Sequence, residues 1–237
     1  ELRLNYPGIL FVDAATIPYW GDKYKMTLLF TSHPELKTLK PEWGLYDCEY
    51  KEDLAVKIEA EIPADLYVLK PRSEMQGKGV VILRKEDLDK TLRMFFGDGE
   101  ILQRHPDPAY VFWAKNKQET FIVEKYYPSD PLVIPKISNK KTSSEYEEHD
   151  LFTYDPTLRV AFLLVYDKGS ITCKCVGGYW RIPRKSLDEG GAFNETRKDY
   201  NSIYHSKKVS EQVLEEVFEV LEQNIPLLYK AMLESHT

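Results

Sequence analysis

The sequence predicts an α+β fold, and three observations carry that reading. Apolar runs of strand length, Leu66-Tyr67-Val68-Leu69 and Val80-Val81-Ile82-Leu83, flank a polar loop that contains glycine. Segments with apolar residues at helical spacing stand between and after such runs, the plainest near the C-terminus. No internal repeat is present, and neither a helical bundle nor a sandwich gives this mixture. At 237 residues the chain has room for a bilobal domain or two small ones.

In chain order, Leu10-Phe11-Val12 is a short apolar run. Residues 22–30 read as a helix, with Asp22 at its start and Met26, Leu29 and Phe30 at helical spacing. Pro34, Pro41 and Gly44 read as loop breakers. A short helix over residues 52–60 must end before Pro63. The strand at 66–69 ends at Lys70-Pro71, and the loop at 72–79 leads into the strand at 80–83. Leu88, Leu92 and Phe95 share one face of a helix over 85–96. Residues 110–113 and 120–123 read as strands, the second running into Glu124-Lys125-Tyr126-Tyr127-Pro128.

Residues 138–150 are polar, lack periodicity and read as a surface loop. Residues 160–166 and 171–176 form a hairpin across Asp167-Lys168-Gly169-Ser170, ended by Gly177-Gly178. A long polar stretch then reaches to His205. The last helix carries Val213, Val217, Val220, Leu221 and Leu228 on one stripe, and Pro226 is expected to kink or divide it.

The formal charge of −6 works against a non-specific nucleic-acid binder, which needs a positive field along its surface. It leaves room for a phosphate ligand held by a few local cations. Cys48, Cys173 and Cys175 make an odd set without a disulfide framework, which fits a reducing, cytoplasmic setting. Cys173 and Cys175 are expected on one buried strand face, and the five histidines form no ligand pair. No apolar stretch reaches about 18 residues, so no membrane span is expected. The chain opens on Glu1 in place of Met and reads as trimmed or as a fragment.

Four segments carry groups suited to chemistry. Lys70 ends a strand, where its ammonium can face a phosphate, and Gly77-Lys78-Gly79 offers close backbone approach with local positive charge. A hairpin with a solvated lysine is the plain alternative, because this is neither a phosphate-loop nor a dinucleotide fingerprint. The strand through Glu124-Lys125-Tyr126 can present backbone groups to an adenine edge, or serve as an ordinary edge strand. Arg159, just before an apolar run, has a fork suited to phosphate oxygens; a surface ion pair with Asp155 or Asp167 is the alternative. The stretch from Gly177 through Arg181 to Asn194 suits a substrate-side loop, with Asn194 offering a carbonyl to Mg²⁺ and Arg181 steadying an anion.

Taken in order, Leu66-Tyr67-Val68-Leu69-Lys70-Pro71, Gly77-Lys78-Gly79-Val80, Val123-Glu124-Lys125-Tyr126 and Asp155-Pro156-Thr157-Leu158-Arg159-Val160 resemble the ATP-grasp superfamily. The resemblance covers roughly half of the chain, about residues 65–195. It implies two α/β lobes with ATP and Mg²⁺ between them. Residues 61–128 would be the smaller nucleotide-binding lobe with the glycine loop. Residues 129–237 would be the larger lobe with the substrate-side loop and the C-terminal helix, and residues 1–60 would pack on or precede the core.

By the same resemblance Lys70 is a phosphate-binding lysine, and Gly77, Lys78 and Gly79 belong to the loop that closes over the phosphates. Glu124, Lys125 and Tyr126 form the hinge that reads adenine. Arg159 contacts the transferred phosphate, and Arg181 lies on the acyl-phosphate side. A second phosphate-binding lysine is expected upstream, at Lys23, Lys25 or Lys40. The implied reaction is ligation: ATP converts a small-molecule or peptide carboxylate to an acyl-phosphate, and an amine or thiol displaces the phosphate. Family members usually hold Mg²⁺ with an Asp and a later Glu-x-Asn; Asn194-Glu195 is only a partial substitute. An ATP-binding regulatory protein without turnover is the alternative which that departure leaves open.

Overall fold

Strands β1 (Trp43–Asp47), β2 (Leu66–Pro71), β3 (Val81–Arg84) and β4 (Thr120–Lys125) form an antiparallel sheet in the order β1-β4-β2-β3. The computed structural model describes residues 16–19, 21–74, 77–97, 101–115, 117–136, 150–167, 169–197 and 206–234. The expected apolar run at Leu10 and nearly all of the expected loop at 138–150 lie outside them.

Alternation along the strands sorts the apolar runs into two faces. Tyr67, Leu69, Val81, Leu83, Phe121 and Val123 enter the main core. There they meet α3 (Leu54–Glu61), α4 (Leu88–Phe96) and α5 (Pro108–Lys115). Leu69, Leu88, Leu92 and Phe121 are fully buried, each stabilising the fold by about 1.5–3 kcal/mol. The opposite face carries Val68, Lys70, Ile82, Ile122 and Glu124, and the site is built on it.

The helix before β1 begins as expected. Asp22 Oδ1 accepts hydrogen bonds from the backbone N–H groups of Tyr24 (3.1 Å) and Lys25 (3.2 Å), capping α1 (Lys23–Ser32). A short α2 (Pro34–Lys37) follows. Gly44 lies inside β1, not in a loop, because pairing with β4 supplies hydrogen bonds that local propensity does not foresee.

Residues 110–113, expected as a strand, are helical in α5. Asp107 caps that helix, its Oδ1 accepting from the Ala109 N–H at 2.8 Å, and Pro108 fits the first turn. Helical spacing turns Ala109 and Trp113 to the same side, and Trp113 stacks on Phe95 with ring centroids 5.0 Å apart. Tertiary burial overrides the strand preference of Tyr110-Val111-Phe112-Trp113.

Strands β5 (Leu132–Pro135) and β6 (Leu151–Tyr154) pair with each other. A second sheet has β7 (Thr157–Asp167), β8 (Ser170–Arg181) and β9 (Ser206–Lys208) in that order. The β7–β8 hairpin is longer than its apolar runs suggest. Gly177 and Gly178 stay within β8, and a register shift beside Ala161 and Phe162 leaves Val176 as the extra residue of a bulge. A Cβ at Gly178 would lie 2.8 Å from the Leu214 side chain, so glycine lets the C-terminal helix approach the sheet.

A short α6 (Phe193–Arg197) precedes β9. The last helix, α7 (Glu211–Glu234), runs through Pro226 undivided. Its Leu228, Ala231 and Met232 pack with Leu29 of α1 and Leu36 of α2 in a second core cluster. Thus β1 and α3, from within the first sixty residues, belong to the main sheet and core, while α1 and α2 meet the C-terminal helix. The chain is a mixed α/β protein, and no described helix is long and apolar enough to cross a membrane.

Candidate functional site

The alternation that turns Val68 away from the core does the same for Lys70. Lys70 pairs with Ile122 on β4, which sets Glu124 diagonally across from it. Glu124 is buried at 4% exposure, and its two carboxylate oxygens accept separately from Lys70 Nζ and Lys40 Nζ. Lys40 arrives from the segment after α2. That segment docks along β4, where the Lys125 N–H donates to the Glu42 carbonyl at 2.9 Å.

A third lysine comes from the first turn of α1. Lys23 Nζ donates to the carbonyl oxygens of Pro71 (3.0 Å) and Glu74. The Lys23 backbone N–H donates to the Arg72 carbonyl at 2.9 Å, and Arg72 reaches Asp22 at 3.1 Å. The start of α1 is therefore stitched to the exit of β2.

Lys40 and Lys70 share the one carboxylate of Glu124, a formal excess of one positive charge, and Lys23 stands near Lys70 with Glu74 and Asp22 also close to it. Burial, and then the nearby Lys70, bring the Lys23 pKa down to about 8. Burial also lowers the Lys40 pKa, opposed in part by Glu124. For Glu124 burial acts upward, but the combined pull of Lys70 and Lys40 holds the carboxyl below its ordinary value. The arrangement favours a further anion beside the lysines.

A cleft of about 500 Å³ opens over this face, within the range of small-molecule sites. Val68, Lys70, Ile82 and Glu124 form one wall; Asp155, Leu158, Trp180 and Arg197 form the other. Asp155, buried at 3% exposure, organises the far wall. It accepts from Tyr126 Oη (2.7 Å), the Ser129 N–H (3.0 Å) and Ser129 Oγ (2.8 Å), and Arg197 Nε stands 3.2 Å away. The cleft thus joins an apolar slot, fit for a flat group, to a cationic end fit for an anion.

No protein-family model matches the chain, and a search of the curated proteins returns no match.

Of the residues singled out in the sequence, Lys70, Glu124, Lys125 and Tyr126 all line this cleft. Lys40 shares Glu124 with Lys70 and Lys23 stands near Lys70, neither of them among the residues that line the cleft, whereas Lys25 is exposed on α1. The hinge differs from expectation in one respect. The backbone N–H groups of Lys125 and Tyr126 are engaged with the carbonyls of Glu42 (2.9 Å) and Leu66 (3.0 Å), so neither is directed to an adenine edge.

Gly77, Lys78 and Gly79 do not line the cleft. Gly77 and Gly79 adopt left-handed φ of 72° and 67°. The Gly79 carbonyl accepts from Trp113 Nε1 at 2.8 Å, and a Cβ there would lie 2.3 Å from the Phe112 ring. Packing against α5 accounts for that glycine. Lys78 is exposed.

Arg159 is exposed on β7, and Arg181 sits across the ladder from Thr157; neither lines the cleft. The arginine there is Arg197, which no local sequence signal marks, with Trp180 beside it from the stretch expected as a substrate-side loop. Asn194 is buried at 3% exposure, accepting from the Ile82 N–H (3.1 Å) and donating to Asp107 Oδ2 (2.6 Å). It covers the open edge of β3. Glu195 pairs with Lys185 at 2.8 Å. Asn194 and Glu195 are therefore tied into the fold separately. Among the described residues no group of three or more His, Cys, Asp or Glu side chains is arranged to hold a metal.

Proposed function

We propose that the cleft binds ATP, with Lys23, Lys40 and Lys70 as phosphate-binding cations and the slot between Val68, Ile82, Leu158 and Trp180 holding the base. The observation that carries this reading is the convergence of Lys40 and Lys70, from two separate segments, on the buried Glu124, with Lys23 near Lys70. An excess of partly buried positive charge is costly without an anion and attractive to a polyphosphate. The resemblance to ATP-grasp proteins supports the same ligand through an independent line, the order of the motifs along the chain.

That resemblance extends the reading to ligation. A carboxylate oxygen of a small-molecule or peptide substrate attacks the γ-phosphorus, ADP leaves, and an amine or thiol then displaces phosphate from the acyl-phosphate. The lysines would neutralise charge on the transferred group, and the apolar walls would limit access of water. The residues do not fit a Mg²⁺ ion held by the protein: Asn194 and Glu195 are engaged elsewhere, and Asp155 holds Tyr126, Ser129 and Arg197. Mg²⁺ enters this proposal only as the counter-ion of the triphosphate. The same engagement of the carboxylates favours a second reading, an ATP-binding regulatory protein without turnover.

Titration calorimetry with a non-hydrolysable ATP analogue and Mg²⁺ tests the binding step. Lys70→Ala and Lys40→Ala should each weaken binding by about tenfold or more, the worth of a charge-assisted hydrogen bond. Folded protein that takes up no analogue at millimolar concentration, or that binds it equally well without either lysine, refutes the site.

A further inference from the structure

Strand β7 is eleven residues long and pairs on one side with β8. Among the described residues no strand pairs with its other edge. One face of β7 is covered in part, Val160 and Leu164 being half-buried while Phe162 and Tyr166 stay 40% and 65% exposed. Phe162 and Leu164 stand opposite the buried Cys175 and Cys173, and α7 reaches that face, Glu222 accepting from the Cys175 N–H at 2.7 Å. The opposite face is open and apolar, with Leu163 57% and Val165 52% exposed beside Val176 of β8 at 56%. A long, apolar, unpaired edge is a template for another strand, and folded proteins commonly blunt or cover such an edge.

We propose that a second copy of this chain covers it, β7 pairing antiparallel with β7 across a twofold axis at Leu163. The charges on the strand select that occupant and that register. Arg159 and Asp167 are the charged residues of β7, each four positions from Leu163 and on its exposed face. Centring the pair on Leu163 sets Arg159 of each copy opposite Asp167 of the other, so both ends close with opposite charges. A shift of the centre by one residue sets Arg159 opposite Val165 or Asp167 opposite Ala161, and the complementarity is lost. The centred register also sets Ala161 opposite Val165, gathering the exposed apolar side chains of both copies into one patch. The contact is isologous, as a closed dimer requires, and it joins the two three-stranded sheets into one of six strands.

Sedimentation equilibrium over roughly 5–200 µM protein tests the proposal, since a reversible dimer follows mass action. The wild type should show a monomer–dimer equilibrium. Arg159→Asp or Asp167→Arg alone sets like charges opposite each other twice and should weaken the dimer by about tenfold. The double exchange Arg159→Asp with Asp167→Arg should restore it. As a second measurement, Leu163→Cys places two thiols at the axis, and mild oxidation should cross-link the copies where wild-type protein stays uncrosslinked. A wild type that is monomeric throughout overturns the proposal. So does a dimer that ignores the single exchanges, one that the double exchange does not restore, or a failure of Leu163→Cys to cross-link.

Discussion

Replacing Glu124 with Gln keeps the side-chain shape and removes the charge that Lys40 and Lys70 share. The formal excess of positive charge in the Lys40–Glu124–Lys70 group rises from one to two. Removing one partner from a buried ion pair costs about 3–5 kcal/mol. The lysine side chains retain 13% and 25% of their exposure, so partial solvation places the loss at the lower end of that range, about 3 kcal/mol. For a chain of this size that corresponds to a fall in Tm of about 6–12 °C. Thermal melts with and without ATP or tripolyphosphate provide the assay. The anion should raise the Tm of Glu124→Gln more than that of the wild type, because it supplies the missing negative charge. A fall below about 2 °C would show that the carboxylate is not coupled to the lysines. An anion shift no larger than in the wild type would show that the lysine cluster is not where phosphate binds.

Asn194→Ala leaves the Ile82 N–H without its side-chain acceptor and takes a donor from Asp107, so stability should fall by about 2–3 kcal/mol in urea unfolding. Its affinity for the ATP analogue should be unchanged; an intact unfolding midpoint with lost Mg²⁺-dependent binding would instead make Asn194 a metal ligand. Lys23 gives a pH signature. Its folded pKa of about 8 lies below its ordinary 10.5, so the folded chain binds fewer protons between those values and stability gains from Lys23 as pH rises through that window. Lys23→Met should remove that gain, seen as a smaller change in urea midpoint between roughly pH 7.5 and pH 10. The same pH dependence in both proteins would show that the Lys23 ammonium is not held in a buried, cation-rich place.

Local chemistry marked much of the framework in advance. Asp22 announces α1, Pro63 bounds α3, and the apolar runs of β2 and β3 are strands because their residues suit a sheet covered on both faces. The motif at Lys70 and Glu124 was legible for the same reason: alternation places both on the face opposite the core, whatever the rest of the chain does. Other elements were hidden. The strand preference of Tyr110 to Trp113 gave way to a helix through a cap at Asp107 and a hydrogen bond from Trp113 to Gly79, 34 residues earlier. The two glycines at 177 and 178 stay within a strand that continues past a bulge at Val176, and Gly178 makes room there for Leu214.

The sequence by itself determined the mixed class, the placing of several strands and helices, and the identity of two residues at the centre of the cleft. These follow from periodicity and capping, which act over a few residues. Tertiary structure decided that Lys40 shares Glu124 with Lys70, that Asp155 and Arg197 form the far wall, and that Asn194 seals an edge of the sheet. The contacts behind those outcomes span 84 residues for Lys40 to Glu124 and 112 for Asn194 to Ile82. Such partners are chosen by strand order and helix docking, because charge and hydrogen bonding act only once packing has brought the groups within reach.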